Sequence, residues 1–90
     1  MNNAERDHLD RVASLGCIVC GAAADIHHLK GHPWSCMGKR ASHYDTIPLC
    51  HVHHQTGGYG VAFHAGQKAW QARFGTQAEL LKKVQEKLEQ

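Results

Sequence analysis

The sequence is poor in aromatic residues and has no long apolar run. Only two Trp, two Phe and two Tyr occur among 90 residues, and a chain this short buries a modest fraction of its surface on folding. With 42% apolar and 20% charged residues, the composition is typical of a globular protein rather than a disordered one. We therefore expect one domain with a thin core, stabilised by something besides hydrophobic burial.

The N-terminus lacks the apolar segment of a secretory signal peptide. No stretch approaches the roughly 20 apolar residues that a membrane-spanning helix needs. We accordingly expect a cytoplasmic protein without a membrane partner. Thiols stay reduced in that compartment, so the four cysteines favour metal binding or redox chemistry over a disulfide framework.

Charge of one sign is not in excess, because ten Lys and Arg face eight Asp and Glu. A net charge of +2 does not by itself indicate nucleic-acid binding. Cations do cluster in and beside the loop 31–42, where Lys30, Lys39 and Arg40 surround Trp34. Such a loop can position a phosphate backbone, although an ordinary solvated loop has the same composition.

Cysteine and histidine occur in two half-sites with the spacing of metal ligands. Cys17-x2-Cys20 resembles a zinc knuckle, and Cys50-x2-His53 completes a Cys3His set. The nine histidines favour zinc over redox chemistry, since neutral imidazole is a common ligand of divalent ions. The alternatives for Cys17 and Cys20 are a redox pair or two buried core thiols. Cys36 has no partner at this spacing and is expected to be a free thiol or a packing residue.

Two adjacent histidines lie between these half-sites. The segment 25–29 is typical of a short strand, in which neighbouring side chains point to opposite faces. His27 and His28 therefore cannot easily bind one ion together. One would hold a metal while the other reaches a substrate, and the alternative is a pair of surface histidines. The half-sites on both sides favour the metal.

Caps, glycines and periodicity predict the remaining secondary structure. In chain order we expect a helix over 3–15 capped by Asn3, an edge strand over 45–49, a short helix after Cys50 that ends at Gly57-Gly58, a helix over 67–74, and a last helix after the capping-box pattern Thr76–Glu79. Leu81, Val84 and Leu88 lie at helical spacing. The last helix should therefore close against the first helix or against a second copy of the chain.

From Cys17 to about Leu81 the chain resembles the HNH endonucleases, and more closely the Ref-like recombination-enhancement nucleases of phages and bacteria. The resemblance lies in an ordered series of motifs: Cys17-x2-Cys20, His27-His28-Leu29, Met37-Gly38-Lys39 with Ala41, Ile47-Pro48-Leu49-Cys50, His53-His54, Phe63-His64 and Phe74-Gly75. It implies an α+β fold with a small zinc-stapled ββα-metal core at 17–65. Helices would flank this core at 1–16 and 66–90, within a single nuclease domain.

The resemblance also implies a role for each residue of two metal sites. The structural zinc ligands would be Cys17, Cys20, Cys50 and His53, and the ligands of a catalytic divalent ion would be His27, His54 and His64. His28 matches the general base, and Asp45 stands where the family has an Asn that orients this base. The interval from His54 to His64 is longer than the family's, so His64 reaches the metal only if this loop folds back.

The activity implied by the resemblance is metal-dependent hydrolysis of DNA phosphodiester bonds, in phage or prophage recombination or DNA processing. Mg²⁺ is the first choice for the catalytic ion, ahead of Mn²⁺ or Zn²⁺, and Lys30, Lys39 and Arg40 would hold neighbouring phosphates. DNA is the expected partner, and a recombinase filament is a second partner that the family alone implies. The competing interpretation is a non-catalytic zinc module that binds nucleic acid or protein.

Overall fold

The computed structural model describes residues 1–35 and 38–90, so the expectations for Cys36 and Met37 lie outside the described residues. In chain order the elements are α1 (Asn3–Ser14), β1 (Asp25–His28), β2 (Thr46–Leu49), a π-helical turn (Val52–Thr56), a 3-10 turn (Phe63–Ala65), α2 (Gln67–Phe74) and α3 (Gln77–Leu88). The expected α+β class is confirmed. Among the described residues, none of the helices combines the length and the apolarity that crossing a membrane requires.

The two strands form an antiparallel hairpin whose long connection carries the basic loop. The register pairs four residues of each strand: Asp25 with Leu49, Ile26 with Pro48, His27 with Ile47 and His28 with Thr46. Each strand is one residue shorter than predicted, although the backbone N–H of Leu29 still donates to the carbonyl of Asp45 at 3.1 Å. Pro48 is tolerated because both strands of a two-stranded sheet are edge strands.

The core lies between the hairpin and the three helices. Its fully buried side chains include Trp70, Phe63, Leu29, Ile47, Leu49, Val12 and Val84. Trp70 and Phe63 meet edge to face, with ring centroids 5.2 Å apart. Helix α3 packs on β2 and α1, and Arg11 of α1 donates a hydrogen bond to the carbonyl of Leu88 at 2.9 Å. Closure of the last helix against the first is confirmed, while contact with a second copy stays a prediction.

Both long helices begin with a capping box. Thr76 and Glu79 form one at α3, as predicted. At α1 the cap is Asn2: its Oδ1 accepts from the backbone N–H of Glu5 at 2.8 Å, and the Glu5 carboxylate accepts from the N–H of Asn2 at 2.9 Å. The prediction of Asn3 is wrong because the box pairs the cap with a Glu three residues later.

Gly16 makes the tight turn from α1 into the segment that carries Cys17 and Cys20. Its backbone has a φ of +78°, and a Cβ atom at this position would lie 2.8 Å from the carbonyl oxygen of Gly21. Gly21 has a similar φ of +80° but open space where its Cβ would be. A substitution at either glycine causes backbone strain, but only a substitution at Gly16 adds a steric clash.

We predict that Gly16→Ala destabilises the protein more than Gly21→Ala does. Both changes force an L-residue into the left-handed region, at a cost of about 1–2 kcal/mol. Only Gly16→Ala adds a collision with a backbone oxygen. Urea unfolding of the two zinc-loaded variants measures the difference. Equal free energies of unfolding would contradict the close approach at Gly16.

Candidate metal centres

Four potential ligand atoms from the knuckle and from the end of β2 converge on one point. Cys17, Cys20, Cys50 and His53 each contribute one atom, and these atoms all lie within 4.8 Å of one another. The Sγ atoms of Cys20 and Cys50 are 3.6 Å apart, and the Sγ of Cys17 lies 3.9 Å from Nδ1 of His53. A tetrahedral zinc site with Zn–S bonds of about 2.3 Å has ligand–ligand distances of about 3.8 Å. This Cys3His cluster can therefore hold a structural metal such as zinc.

The knuckle reaches β2 because backbone hydrogen bonds tie the two together. The N–H of Ile18 donates to the carbonyl of Pro48 at 2.9 Å, and the N–H of Gly21 closes the turn onto the carbonyl of Cys17 at 2.8 Å. Burial raises the pKa of the Cys17 thiol, but hydrogen bonds from backbone N–H groups, that of Cys50 foremost, outweigh it and bring the pKa below its ordinary value. A thiolate stabilised by amides is the form that binds zinc.

The other two interpretations of Cys17 and Cys20 fit this geometry less well. Cys20 is exposed, which excludes a pair of buried core thiols. A redox pair does not account for the approach of Cys50 and His53, whose Sγ and Nδ1 atoms are 3.1 Å apart. Cys17, Cys20 and Cys50 are all free thiols. The grouping of four ligands favours a metal.

We predict that Cys50→Ser abolishes tight zinc binding and leaves the protein largely unfolded, because it removes one of the four ligands that join the knuckle to the hairpin. Chelation of the metal from wild type should cause the same loss of structure. His51→Ala is the matched control, since His51 is adjacent in sequence and its side chain is 63% exposed. Zinc content and thermal unfolding by circular dichroism measure both effects. Wild type that keeps its unfolding temperature after chelation would contradict a structural metal.

A second group, here called the histidine cluster, consists of His27, His54 and His64. One ring nitrogen of each lies within 4.8 Å of the others. The Nε2 of His54 is 3.2 Å from Nδ1 of His27 and 3.0 Å from Nε2 of His64. His27 is 1% exposed whereas His64 is exposed, so the cluster opens to solvent on one side. Three ligands on an open site leave coordination positions for water or phosphate.

The long interval between His54 and His64 does fold back. The N–H of Ala62 donates to the carbonyl of Gly58 at 2.8 Å, and Gly58 adopts the left-handed backbone with a φ of +82°. Arg73 of α2 holds the same loop through a hydrogen bond to a backbone carbonyl at 3.2 Å. The structure thus brings together the three histidines that the resemblance implied as ligands.

Burial keeps these rings neutral. It lowers the pKa of His27 to about 3, against a hydrogen bond with Gln77 and with smaller contributions from His54, His64 and Lys30. Burial likewise lowers the pKa of His54 and that of His64. Neutral imidazole is the form that binds metals, so all three rings are in their ligand form at neutral pH.

His28 follows His27 directly on β1, and its side chain lies on the other face of the strand. Its Nε2 atom is 3.0 Å from Nδ1 of His43, which precedes β2. Burial, with smaller contributions from the nearby Arg40, His43 and Lys30, lowers the pKa of His28 to about 4. The expected separation of His27 and His28 by strand alternation is confirmed, and His28 is neutral at pH 7.

The side chain that contacts His28 is that of His43 rather than Asp45. Asp45 contributes through its backbone, whose carbonyl accepts from Leu29. In the described part of the chain, no hydrogen bond joins the Asp45 side chain to His28. The orienting role that the resemblance implies for Asp45 therefore stays a prediction. Sequence reasoning missed His43. No sequence signal pointed to His43, because its approach to His28 depends on the strand register, which pairs His28 with Thr46.

The three cations expected to bind phosphate line one cavity of about 340 Å³, here called the basic cavity. Its lining consists of Leu29, Lys30, Ser35, Gly38, Lys39, Arg40 and Ala41. His28 directly precedes Leu29 and Lys30 of this lining, and the Arg40 charge contributes to the lowered pKa of its ring. Trp34 departs from the expectation, because it is half-buried and packs against the core instead of standing free among the cations. The basic cavity can accept an anionic group near His28.

The fold and the two clusters define a small α+β protein that can bind a structural metal through three cysteines and one histidine. The family described as "Protein of unknown function (DUF968)" matches residues 2–88, and this chain belongs to that family. The chain is also similar to the "Uncharacterized protein YdfU" of Escherichia coli (strain K12), with 36% identity over 71 residues. That match covers 78% of this chain and 19% of YdfU, so the chain spans about a fifth of the length of this relative. Neither description names an activity.

Proposed function

We propose that this protein is a metal-dependent HNH-type endonuclease that hydrolyses phosphodiester bonds in DNA. The observation that carries the proposal is the division of the hairpin into two faces. His27 joins His54 and His64 on one face, and His28 stands near the basic cavity on the other. The order of β1, β2 and the turn Val52–Thr56 fits a ββα-metal core. The resemblance to Ref-like nucleases suggests a role in phage or prophage recombination or DNA processing.

The histidine cluster fits a divalent ion, because three neutral imidazole nitrogens converge there with one side open. Such an ion would supply Lewis-acid stabilisation of the charge on the scissile phosphate and on the leaving oxygen. Imidazole ligands suit transition metals such as zinc, whereas Mg²⁺ prefers carboxylates and water. The donor set therefore favours Zn²⁺ over the Mg²⁺ expected from the sequence, and Mn²⁺ stays the third candidate.

His28 is the proposed general base. In the tautomer whose Nε2–H donates to Nδ1 of His43, the Nδ1 lone pair of His28 is free to accept a proton from water. The lowered pKa keeps this lone pair unprotonated at neutral pH. Water that gives up its proton in this way attacks the phosphorus in line with the leaving 3′-oxygen.

Lys30, Lys39 and Arg40 are proposed to hold backbone phosphates of the DNA at the basic cavity. Phosphate contacts position a protein on DNA without reading its bases, so this surface should bind without sequence preference. Association with a recombinase filament rests on the family resemblance alone and stays a prediction.

We predict that the protein nicks supercoiled plasmid DNA and that His28→Ala lowers the rate by about 10²–10⁴-fold, the usual contribution of general base catalysis. The assay is run with Mg²⁺, Mn²⁺ and Zn²⁺ in turn, on protein whose zinc content has been measured. His51→Ala is the matched control and should nick like wild type, because His51 is exposed and belongs to neither metal cluster.

Two outcomes would contradict the proposal in different ways. If His28→Ala nicks as fast as wild type, His28 is not the base. If wild type binds zinc, stays folded and nicks nothing with any metal, the protein is a non-catalytic zinc module that binds nucleic acid or protein. A closed Cys3His cluster serves either function, so zinc content alone does not distinguish them.

Replacing Lys39 or Arg40 by Ala should weaken DNA binding on every sequence alike. Each lost phosphate contact should reduce the slope of log Kd against log salt concentration by about 1. Fluorescence anisotropy of labelled DNA with the His28→Ala protein measures this binding without cleavage. Lys87→Ala is the control, because it removes the same charge from a cleft between α1 and the end of α3. An equal change in slope for Lys87→Ala would show that the basic cavity is not the DNA-binding surface.

A further inference from the structure

Gln77 is a buried polar residue at the start of α3. Its side chain, in a residue only 4% exposed, reaches across to the end of β1. Its backbone N–H donates to Oε1 of Gln71 in α2 at 3.0 Å, which fixes the start of the helix. The motifs that carry the family resemblance do not include Gln77, and the sequence predicts only a structural role for α3.

The backbone of Lys30 determines which way the Gln77 amide points. The N–H of Lys30 donates to Oε1 of Gln77 at 2.8 Å, and Nε2 of Gln77 donates to the carbonyl of Lys30 at 2.8 Å. Turning the amide over would face donor to donor and acceptor to acceptor. Only the observed orientation satisfies both hydrogen bonds.

This orientation determines the tautomer of His27. Oε1 of Gln77 also lies 3.2 Å from Nε2 of His27, and an amide oxygen only accepts hydrogen bonds. Nε2 of His27 must therefore carry the hydrogen, which leaves the lone pair of the neutral ring on Nδ1. Nδ1 is the atom that faces His54 in the histidine cluster, at 3.2 Å.

We propose that Gln77 is a positioning residue that holds His27 in the one tautomer and orientation in which Nδ1 binds a metal ion. This inference rests on the proposed function, because it takes the histidine cluster to be a metal site. An acceptor on the far ring nitrogen orients a ligating histidine, and its removal typically lowers metal affinity about 10–100-fold. Both partners are buried, so water does not readily replace the lost acceptor.

Three variants separate this positioning role from a simple tie between α3 and β1. Gln77→Met keeps the length of the side chain but removes both its acceptor and its donor. Gln77→Glu keeps an acceptor for Nε2 of His27 and, as the protonated carboxyl that burial favours, an O–H donor for the carbonyl of Lys30. Gln71→Met is the matched control, because it removes a hydrogen bond at the same junction, one that goes to the backbone of Gln77 and not to His27.

Nitrogen NMR of the His27 ring reports the tautomer directly, in protein that carries one zinc ion per chain in the Cys3His cluster. We expect the Nε2–H form in wild type, Gln77→Glu and Gln71→Met, and loss of this preference in Gln77→Met. Titration of the same proteins with Co²⁺, followed by its visible absorption, reports the affinity of the histidine cluster. The affinity should fall about 10–100-fold in Gln77→Met and stay close to that of wild type in the other two.

An unchanged tautomer and Co²⁺ affinity in Gln77→Met would overturn the positioning role and leave the metal site standing. A loss of Co²⁺ affinity of about 10–100-fold in Gln77→Glu would also overturn the positioning role, because this variant keeps the acceptor for His27. That test does not require Gln77→Met to fold. Wild type that binds no Co²⁺ beyond the Cys3His cluster would overturn the metal site and the positioning role together. None of these readouts depends on DNA cleavage, so failure of the nuclease proposal is detected separately.

Discussion

The turn that follows β2 places two consecutive histidines in two different clusters, and the rest of the site depends on this division. Nδ1 of His53 is 3.1 Å from Sγ of Cys50, whereas Nε2 of His54 faces His27 and His64. The N–H of His54 also donates to the carbonyl of Cys50 at 2.9 Å. Wide π-helical turns are rare and occur frequently at functional sites. Because one peptide bond joins the two clusters, a structural metal bound by the first would also hold His54 in place in the second.

The hairpin also separates two adjacent histidines, here onto the two faces of the sheet. His27 is buried and backed by Gln77, while His28 on the opposite face contacts His43. Lys30 acts on both faces: its backbone orients the Gln77 amide, and its charge adds to burial in lowering the pKa of both His27 and His28. Two histidines that are neighbours in the sequence therefore have different surroundings.

Short-range patterns predicted most of the local structure. Strand alternation separated His27 from His28, and the Thr76–Glu79 pattern marked the start of α3. The two half-sites identified the four residues that meet in the Cys3His cluster. The local errors, a cap at Asn3 instead of Asn2 and strands one residue too long, were shifts of one residue. These patterns work because the residues involved lie within one or two turns of each other, where geometry follows from backbone conformation.

Two decisive contacts had no such pattern. His43 lies 15 positions from His28, and Gln77 lies 50 positions from His27. The sequence by itself determined which cysteine and histidine side chains were available, at which local spacing and on which face of a strand. Only the tertiary structure decided which side chains hydrogen-bond to these histidines from elsewhere in the fold. For example, the packing of α3 on the hairpin brings Gln77 to His27. A hydrogen-bond partner supplied by packing across the fold leaves no periodicity or spacing to read, since any polar residue at the start of a helix is compatible with the same local pattern.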